Sequence, residues 1–487
     1  MKSTLHLVDA MNMEARLRAA LAAVVLGAVA VAQVGFGDAA PLAAWRHWLQ
    51  GEPTAFAGEA TAPCTVLAFY TRSGLALQFA SDGDYLASLQ RRFGDRGLAV
   101  VAVVKAPDAQ ALANWPGCRV AADTEGELTN AWLGAADGSC HVIVLDKRGR
   151  VVLLGTPEAG LVDAIEATLR GEDVIAATAR AFSIRCNMLG SFDDAVAADT
   201  ARALEDVLAT VPRDGLSLGL LYVAQATKRN DAAEASKVLQ RASKALAGES
   251  RPLAAFADLA LRGDPGREGL ATTLVPLLAA AAAEARHDVM VQLAYLRALV
   301  QAGSGRDVGR HAIAVRKLVV ASASSCLDFA TLLTQDKDAA VHRDLATMAL
   351  DKAATLGALP RLLTAARYGV AVRCAGDTAA ARKLLDAYVE EAAAITINND
   401  CWYIMTELAT MGRYDAFAAG LAERMLEQRD AMEYYEFDTA ALAMFLAGRV
   451  DEAVALQETA IEKGGKGNPE YAERLQRYKA RMAPAPR

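Results

Sequence analysis

The sequence has no Cys-x-x-Cys, no His-Glu-x-x-His and no run of basic residues, and aromatic side chains make up only 6% of its 487 residues. Structural zinc sites draw their ligands as closely spaced pairs. The seven cysteines, at 64, 118, 140, 186, 326, 374 and 401, are scattered and give no such site. The six histidines, at 6, 47, 141, 287, 311 and 342, form no metallohydrolase cluster. The net charge is −7, and Lys and Arg are nowhere concentrated as a phosphate-binding groove requires, so nucleic acid is excluded as a partner. Beyond the amino terminus no apolar segment approaches the roughly 20 charge-free residues that cross hydrocarbon. No metal and no cofactor is implied.

What the chain does contain is apolar: 53% of it, much of that Ala, as in Ala379 to Ala381 and Ala279 to Ala283. That much apolar side chain offsets chain entropy and argues against disorder. Its small size favours helix packed closely on helix. A prior of roughly 150 residues per domain gives about three domains' worth of chain.

Lys2, Arg16 and Arg18 precede an apolar run from Ala19 to Ala32 that ends in the small-x-small site Ala30-Val31-Ala32. This is the three-part order of a secretory signal, so residues 1–32 read as a signal peptide, with Met11 or Met13 as alternative starts. The alternative is an uncleaved anchor, and an uncleaved amino terminus is the one membrane contact the sequence allows. The expected location is periplasmic or secreted. Export permits disulfides, but an odd cysteine count leaves a thiol unpaired, and most of these cysteines read as small buried apolar residues.

Residues 42–172 alternate strand and helix signals. Cys64 to Tyr70 and Leu98 to Val104 are uncharged apolar runs, as in strands buried on both faces. Between them Tyr85, Leu86, Leu89 and Phe93 recur at helical spacing. Asp108 to Trp115 reads as a helix, Arg119 to Ala122 as a strand and Thr124 to Leu133 as a helix. His141 to Asp146 and Val151 to Leu154 flank the turn Lys147-Arg148-Gly149-Arg150, which makes a hairpin, and Leu161 to Leu169 closes the unit as a helix. Such an order predicts an α/β fold with helical crossovers.

In Val66 to Tyr70, Leu89 to Gly94, Gly97 to Val103 and Asp123 to Glu127 with Leu145 to Arg150, this unit resembles the thioredoxin-like domains of the TlpA and ResA type. The resemblance implies a Cys-x-x-Cys opening the helix after the first central strand, where the helix amino terminus lowers a thiol pKa. Here the corresponding stretch, Thr71 to Phe79, holds no sulfur. The Thr-x-x-Cys of peroxiredoxins is missing from it as well. The resemblance also implies a cis-proline six residues before Asp146, and Cys140 stands there instead. Thiol exchange needs a thiolate and normally a resolving thiol, so the expectation is a redox-silent domain. Cys140 is the one catalytic candidate by position, against its reading as inert packing. Ser73 with Gly74 lacks the second glycine of a nucleophile elbow.

From residue 173 to 478 strand signals give way to helix pairs. Gly376, Gly412 and Gly448 are 36 residues apart, and Asn230, Gly303 and Gly376 are 73 apart, with an unmarked turn expected midway in each longer gap. Asp328 to Thr334 echoes Asp400 to Thr406 at a distance of 72. Such a period means stacked helix pairs. Ala453 and Ala460 fall at the small-residue positions of tetratricopeptide repeats and Tyr368-Gly369 matches their first-helix Leu-Gly pair, so the region resembles that family and is TPR-like, an all-α solenoid. Residues 479–487, with Pro484 and Pro486, are expected to fray.

Stacked pairs leave an extended concave face that fits a peptide or a protein surface. Trp402, Tyr403, Tyr414, Tyr434 and Tyr435, with Phe417 and Phe437, form an aromatic cluster that is either a groove rimmed by Glu433 and Glu436 or the core of the last repeats. Helical spacing favours core. His311 and His342 read as solvated helix positions. The expected protein is an exported, non-enzymatic interaction scaffold. The alternative is a thiol-disulfide oxidoreductase or peroxiredoxin-like enzyme working through Cys140.

Overall fold

The computed structural model describes residues 35–39, 48–51, 62–70, 76–105, 115–133, 141–190, 197–228, 231–263, 267–391, 394–407 and 410–482. The expected signal at 1–32, Ser73, Gly74 and Cys140 lie outside them.

Six strands form one mixed sheet: β1 (Trp48–Gln50), β2 (Cys64–Tyr70), β3 (Leu98–Val104), β4 (Arg119–Ala122), β5 (Val142–Asp146) and β6 (Val151–Gly155), in the order β1-β4-β3-β2-β5-β6. The uncharged runs β2 and β3 pair in parallel and are buried at every residue, because helices cover both faces of the sheet. Alternation along β2 divides the core. Val66, Ala68 and Tyr70 join Leu86, Phe93 and Ile165 on one side, while Leu67 and Phe69 join Trp132 and Ile143 on the other. The hairpin β5–β6 is closed by Asp146, whose Oδ1 accepts from Arg148 N at 2.8 Å and Arg150 N at 2.9 Å. Among the described residues three helices belong to this unit: α1 (Ala76–Phe93), α2 (Glu127–Leu133) and α3 (Leu161–Arg170). The helix expected from Thr124 starts three residues later, and the one expected at 108–115 falls mostly outside the described residues. Strand β1 was not legible in the sequence, since three residues carry no alternation.

Seventeen helices follow, α4 (Ile175–Gly190), α5 (Ala197–Thr210), α6 (Gly215–Val223), α7 (Ala232–Ala245), α8 (Ser250–Gly263), α9 (Arg267–Glu284), α10 (Val289–Gln301), α11 (Gly305–Val319), α12 (Ala323–Gln335), α13 (Arg343–Thr355), α14 (Pro360–Gly369), α15 (Thr378–Glu391), α16 (Ala394–Thr406), α17 (Asp415–Leu426), α18 (Tyr434–Leu446), α19 (Val450–Ala460) and α20 (Pro469–Met482). They make eight antiparallel pairs and a terminal helix. First helices of successive pairs start 34 to 40 residues apart, and those two pairs apart start 71 to 75 residues apart. Gly303, Gly376, Gly412 and Gly448 each sit in the turn inside a pair with φ between 63° and 81°, the left-handed conformation that ends a helix. A short 3-10 turn, Ala339–His342, occupies one of the two unmarked midpoints. The other, 264–266, lies outside the described residues.

First helices stack on first helices: α6 on α8, α8 on α10, α10 on α12, α12 on α14. The α6–α8 contact brings backbone against backbone. A Cβ at Gly215 would lie 2.0 Å from Pro252 O, so only glycine fits there. Lys479 to Met482, expected to fray, instead form the last turn of α20, and 483–487 lie outside the described residues. Among the described residues no helix is long and apolar enough to cross a membrane.

Candidate functional site

The described polar groups converge where the α/β unit meets the helix pairs. Tyr70 ends β2 and His141 leads into β5, and the two are held together because Phe69 N donates to His141 O at 2.8 Å. Asp82, on the buried side of α1, joins them: Tyr70 Oη donates to its Oδ2 at 2.9 Å, and His141 Nε2 lies 3.1 Å from the same oxygen. The rings of Trp115 and His141 each stand 5.6 Å from that of Tyr70. Asp82 Oδ1 accepts from Arg251 in the first turn of α8. That guanidinium also donates from Nε to Asp288 and lies 3.9 Å from Glu158.

All of these groups are buried, and relative exposure is 0% for Asp82 and Asp288, 1% for Tyr70, 4% for His141 and 5% for Arg251. Charge burial is tolerated only with close partners. At Asp82 burial works to raise the carboxyl pKa, but Arg251 and the hydrogen bonds from His141 and Tyr70 outweigh it and hold it below its ordinary value. At Asp288 burial and the neighbouring Asp82 prevail over Arg251 and push the carboxyl up to about 6. The Tyr70 hydroxyl is raised well above 10 by burial and by Asp82, so it stays protonated and acts as a donor.

Three successive turns that lead into first helices grip the α/β unit. Before α6, Arg213 N donates to Asp163 Oδ2 at 2.7 Å, its guanidinium reaches Glu166 at 2.7 Å, and Gly215 N donates to Glu158 O at 3.2 Å. Before α8, Glu249 accepts from Arg92 at 2.5 Å. Before α10, His287 N donates to Asp84 Oδ2 at 3.1 Å. A shallow cleft along this seam is lined by Asp84, Ser88, Arg91, Ser250 and Glu284.

None of these partnerships was legible in the sequence, because Asp82 and Arg251 are 169 residues apart. Among the residues singled out beforehand, Cys140 adjoins His141 but lies outside the described residues. The described thiols, Cys64, Cys118, Cys326, Cys374 and Cys401, are free and buried, as expected of packing residues. Burial pushes Cys64 and Cys118 up to about 12, where no thiolate forms near neutral pH. Among the described residues no metal-binding cluster occurs.

The aromatic cluster divides. Tyr414, Phe417 and Phe437 are core, Trp402 and Tyr403 are half-buried, and Tyr434 and Tyr435 are exposed. Trp402 is covered by the Arg474 guanidinium, 5.6 Å from the ring, and Tyr434 leans on Tyr471 at 6.2 Å. Glu433 and Glu436 form a capping box at the start of α18, where Glu433 N donates to Glu436 Oε2 at 2.7 Å. The reading of His342 and His311 as solvated is corrected. His342 is buried against Asp336 at 2.7 Å, and His311 turns inward to Gln292 O at 3.1 Å with its ring on Tyr295. Each sits where the next element covers the helix, which a single-helix pattern does not register.

No family model matches the chain, and neither does any curated protein. Among solved structures it is similar to a hypothetical protein from Sinorhizobium meliloti 1021, 24% identical, over 23% of this chain and 73% of that one, with a TM-score of 0.20. A likeness at that score transfers neither fold nor role.

Proposed function

We propose that the protein is an exported, non-enzymatic interaction scaffold: a redox-silent thioredoxin-like domain at 42–172 fused to a TPR-like solenoid at 173–478 that docks a protein or peptide partner. The observation that carries this reading is Arg251. A thioredoxin-like domain would present its reactive groups at the carboxyl end of β2, and there Tyr70 and the Asp82 beside it are sealed under a guanidinium supplied by the helix pairs. A catalytic surface must admit its substrate, whereas an ion pair at 0% and 5% exposure admits nothing. The buried thiols of the unit support the same reading.

The periodic helix pairs supply the binding element, because stacking extends a surface without enlarging a single core. Crosslinking mass spectrometry in cell envelopes tests the scaffold. We expect a reproducible protein partner crosslinked to residues between 173 and 478, and its absence would count against the proposal. Insulin-reduction and peroxide-consumption assays should show no turnover; robust turnover abolished by Cys140→Ser would replace the scaffold with the oxidoreductase alternative.

A further inference from the structure

The turn between α16 and α17 folds back onto the first helices of earlier pairs. Gly412 O accepts from Gln335 Nε2, at the end of α12, at 2.9 Å. The Arg413 guanidinium donates to Asp328 in α12 and lies 4.0 Å from Asp258 in α8. Met411 packs against the apolar core that runs from α5 to α10. Since α8, α10 and α12 stack in that order, these contacts place the 410–414 segment on the face the first helices share.

The receptor side of this contact suits an extended peptide. Asp328 offers a carboxylate to a planar guanidinium fork, the Gln335 carboxamide offers a donor and an acceptor to a peptide backbone, and apolar surface lies alongside. The chain's own segment uses that set incompletely. Its backbone closes on itself, with Arg413 N donating to Thr410 O at 3.0 Å, so that N–H is not offered to Gln335. Gln335 Oε1 and Arg413 Nε are buried and, among the described residues, neither has a hydrogen-bond partner. Each orphaned group carries a desolvation cost that no hydrogen bond offsets.

We infer that the 410–414 segment is an internal stand-in, and that the shared face of α8, α10 and α12 binds an extended, arginine-bearing segment of a partner protein. The partner's guanidinium takes Asp328 and its backbone takes both ends of the Gln335 carboxamide, in exchange for Arg413. This rests on the scaffold reading and names its partner class.

The test uses the full chain and a fluorescein-labelled peptide with the sequence of residues 407–415, beside a copy with alanine in place of its arginine. Arg413→Ala frees Asp328 and loosens the internal segment, and should bind the arginine peptide about tenfold or more tighter than the wild-type chain does. The alanine peptide, and the arginine peptide on Arg413→Ala/Asp328→Asn, should each lose about tenfold. Equal binding of the two peptides, or no saturable binding by a folded Arg413→Ala chain, overturns the inference. Should Arg413→Ala not fold, hydrogen exchange on the wild-type chain decides. Excess arginine peptide must speed exchange at 410–414, and unchanged rates overturn the inference. The two readings fail separately. A partner that crosslinks while the peptide is ignored sinks this inference alone, whereas peptide capture without any envelope partner supports it and sinks the scaffold.

Discussion

The guanidinium of Arg251, in the first turn of α8, donates to the carboxylate of Asp82 in α1, and the two residues are 169 positions apart in the chain. Both groups are almost wholly buried, so the pair is a clamp between the sheet and the helix pairs whose members stand or fall together.

Removing one member therefore leaves the other charge buried alone. Arg251→Met should lower stability by about 3–5 kcal/mol, read as a shift of the urea midpoint. Replacing both groups, as Asp82→Asn/Arg251→Met, should recover at least about 1 kcal/mol of that loss, because Asp82 is then neutral and only Asp288 and Glu158 are left without the guanidinium. A single-variant loss below about 1 kcal/mol would show that the clamp contributes little.

Asp288 makes this seam sensitive to rising pH. Its folded-state pKa of about 6 is above the ordinary 3.8, so the fold prefers the protonated carboxyl. The contribution is fully present below about 3.8 and is lost as pH rises to about 6. At 1.36 kcal/mol per unit that gap corresponds to about 3 kcal/mol. Asp82, whose pKa is lowered, acts in the opposite sense and only at more acid pH. Thermal unfolding between pH 4.5 and 7 should show the wild-type chain losing stability relative to Asp288→Asn, whose side chain still caps α10. Parallel curves for the two proteins would contradict the assignment.

The described cysteines should be silent. Iodoacetamide at pH 8 on the native chain should leave Cys64, Cys118, Cys326, Cys374 and Cys401 unlabelled, and label all five in guanidinium. Burial, which pushes Cys64, Cys118 and Cys401 up to about 12, is the reason. Labelling of Cys64 or Cys118 ahead of Cys140 in the native chain would be the contrary outcome.

Glycine has opposite roles at two helix positions. At Gly215 an added methyl would meet the Pro252 backbone, so Gly215→Ala should force α6 and α8 apart and cost about 1–3 kcal/mol or more. At Gly269, in the exposed first turn of α9, nothing lies within 4 Å of the new atom. Gly269→Ala should stabilise by roughly 0.5–1 kcal/mol through helix propensity. Denaturation midpoints that move in the same direction for both would refute the packing account.

The elements themselves were legible in the sequence wherever local chemistry was enough. The uncharged runs of β2 and β3, the hairpin turn closed by Asp146, and the helix-ending glycines at 303, 376, 412 and 448 each depend on residues close together in the chain. Strand β1 escaped because its three residues pair only with a partner near residue 120. His342 and His311 were misplaced because their burial comes from neighbouring elements.

The sequence by itself determined a mixed α/β unit followed by helix pairs at a period near 36, since backbone conformation follows from side-chain periodicity and turn residues over a few positions. Only the tertiary structure decided that Arg251 pairs with Asp82, that Arg413 lies across Asp328, and that the Asp288 carboxyl is pushed up to about 6. Those outcomes depend on which charges are brought together and how far water is kept from them, quantities that arise only when distant segments pack.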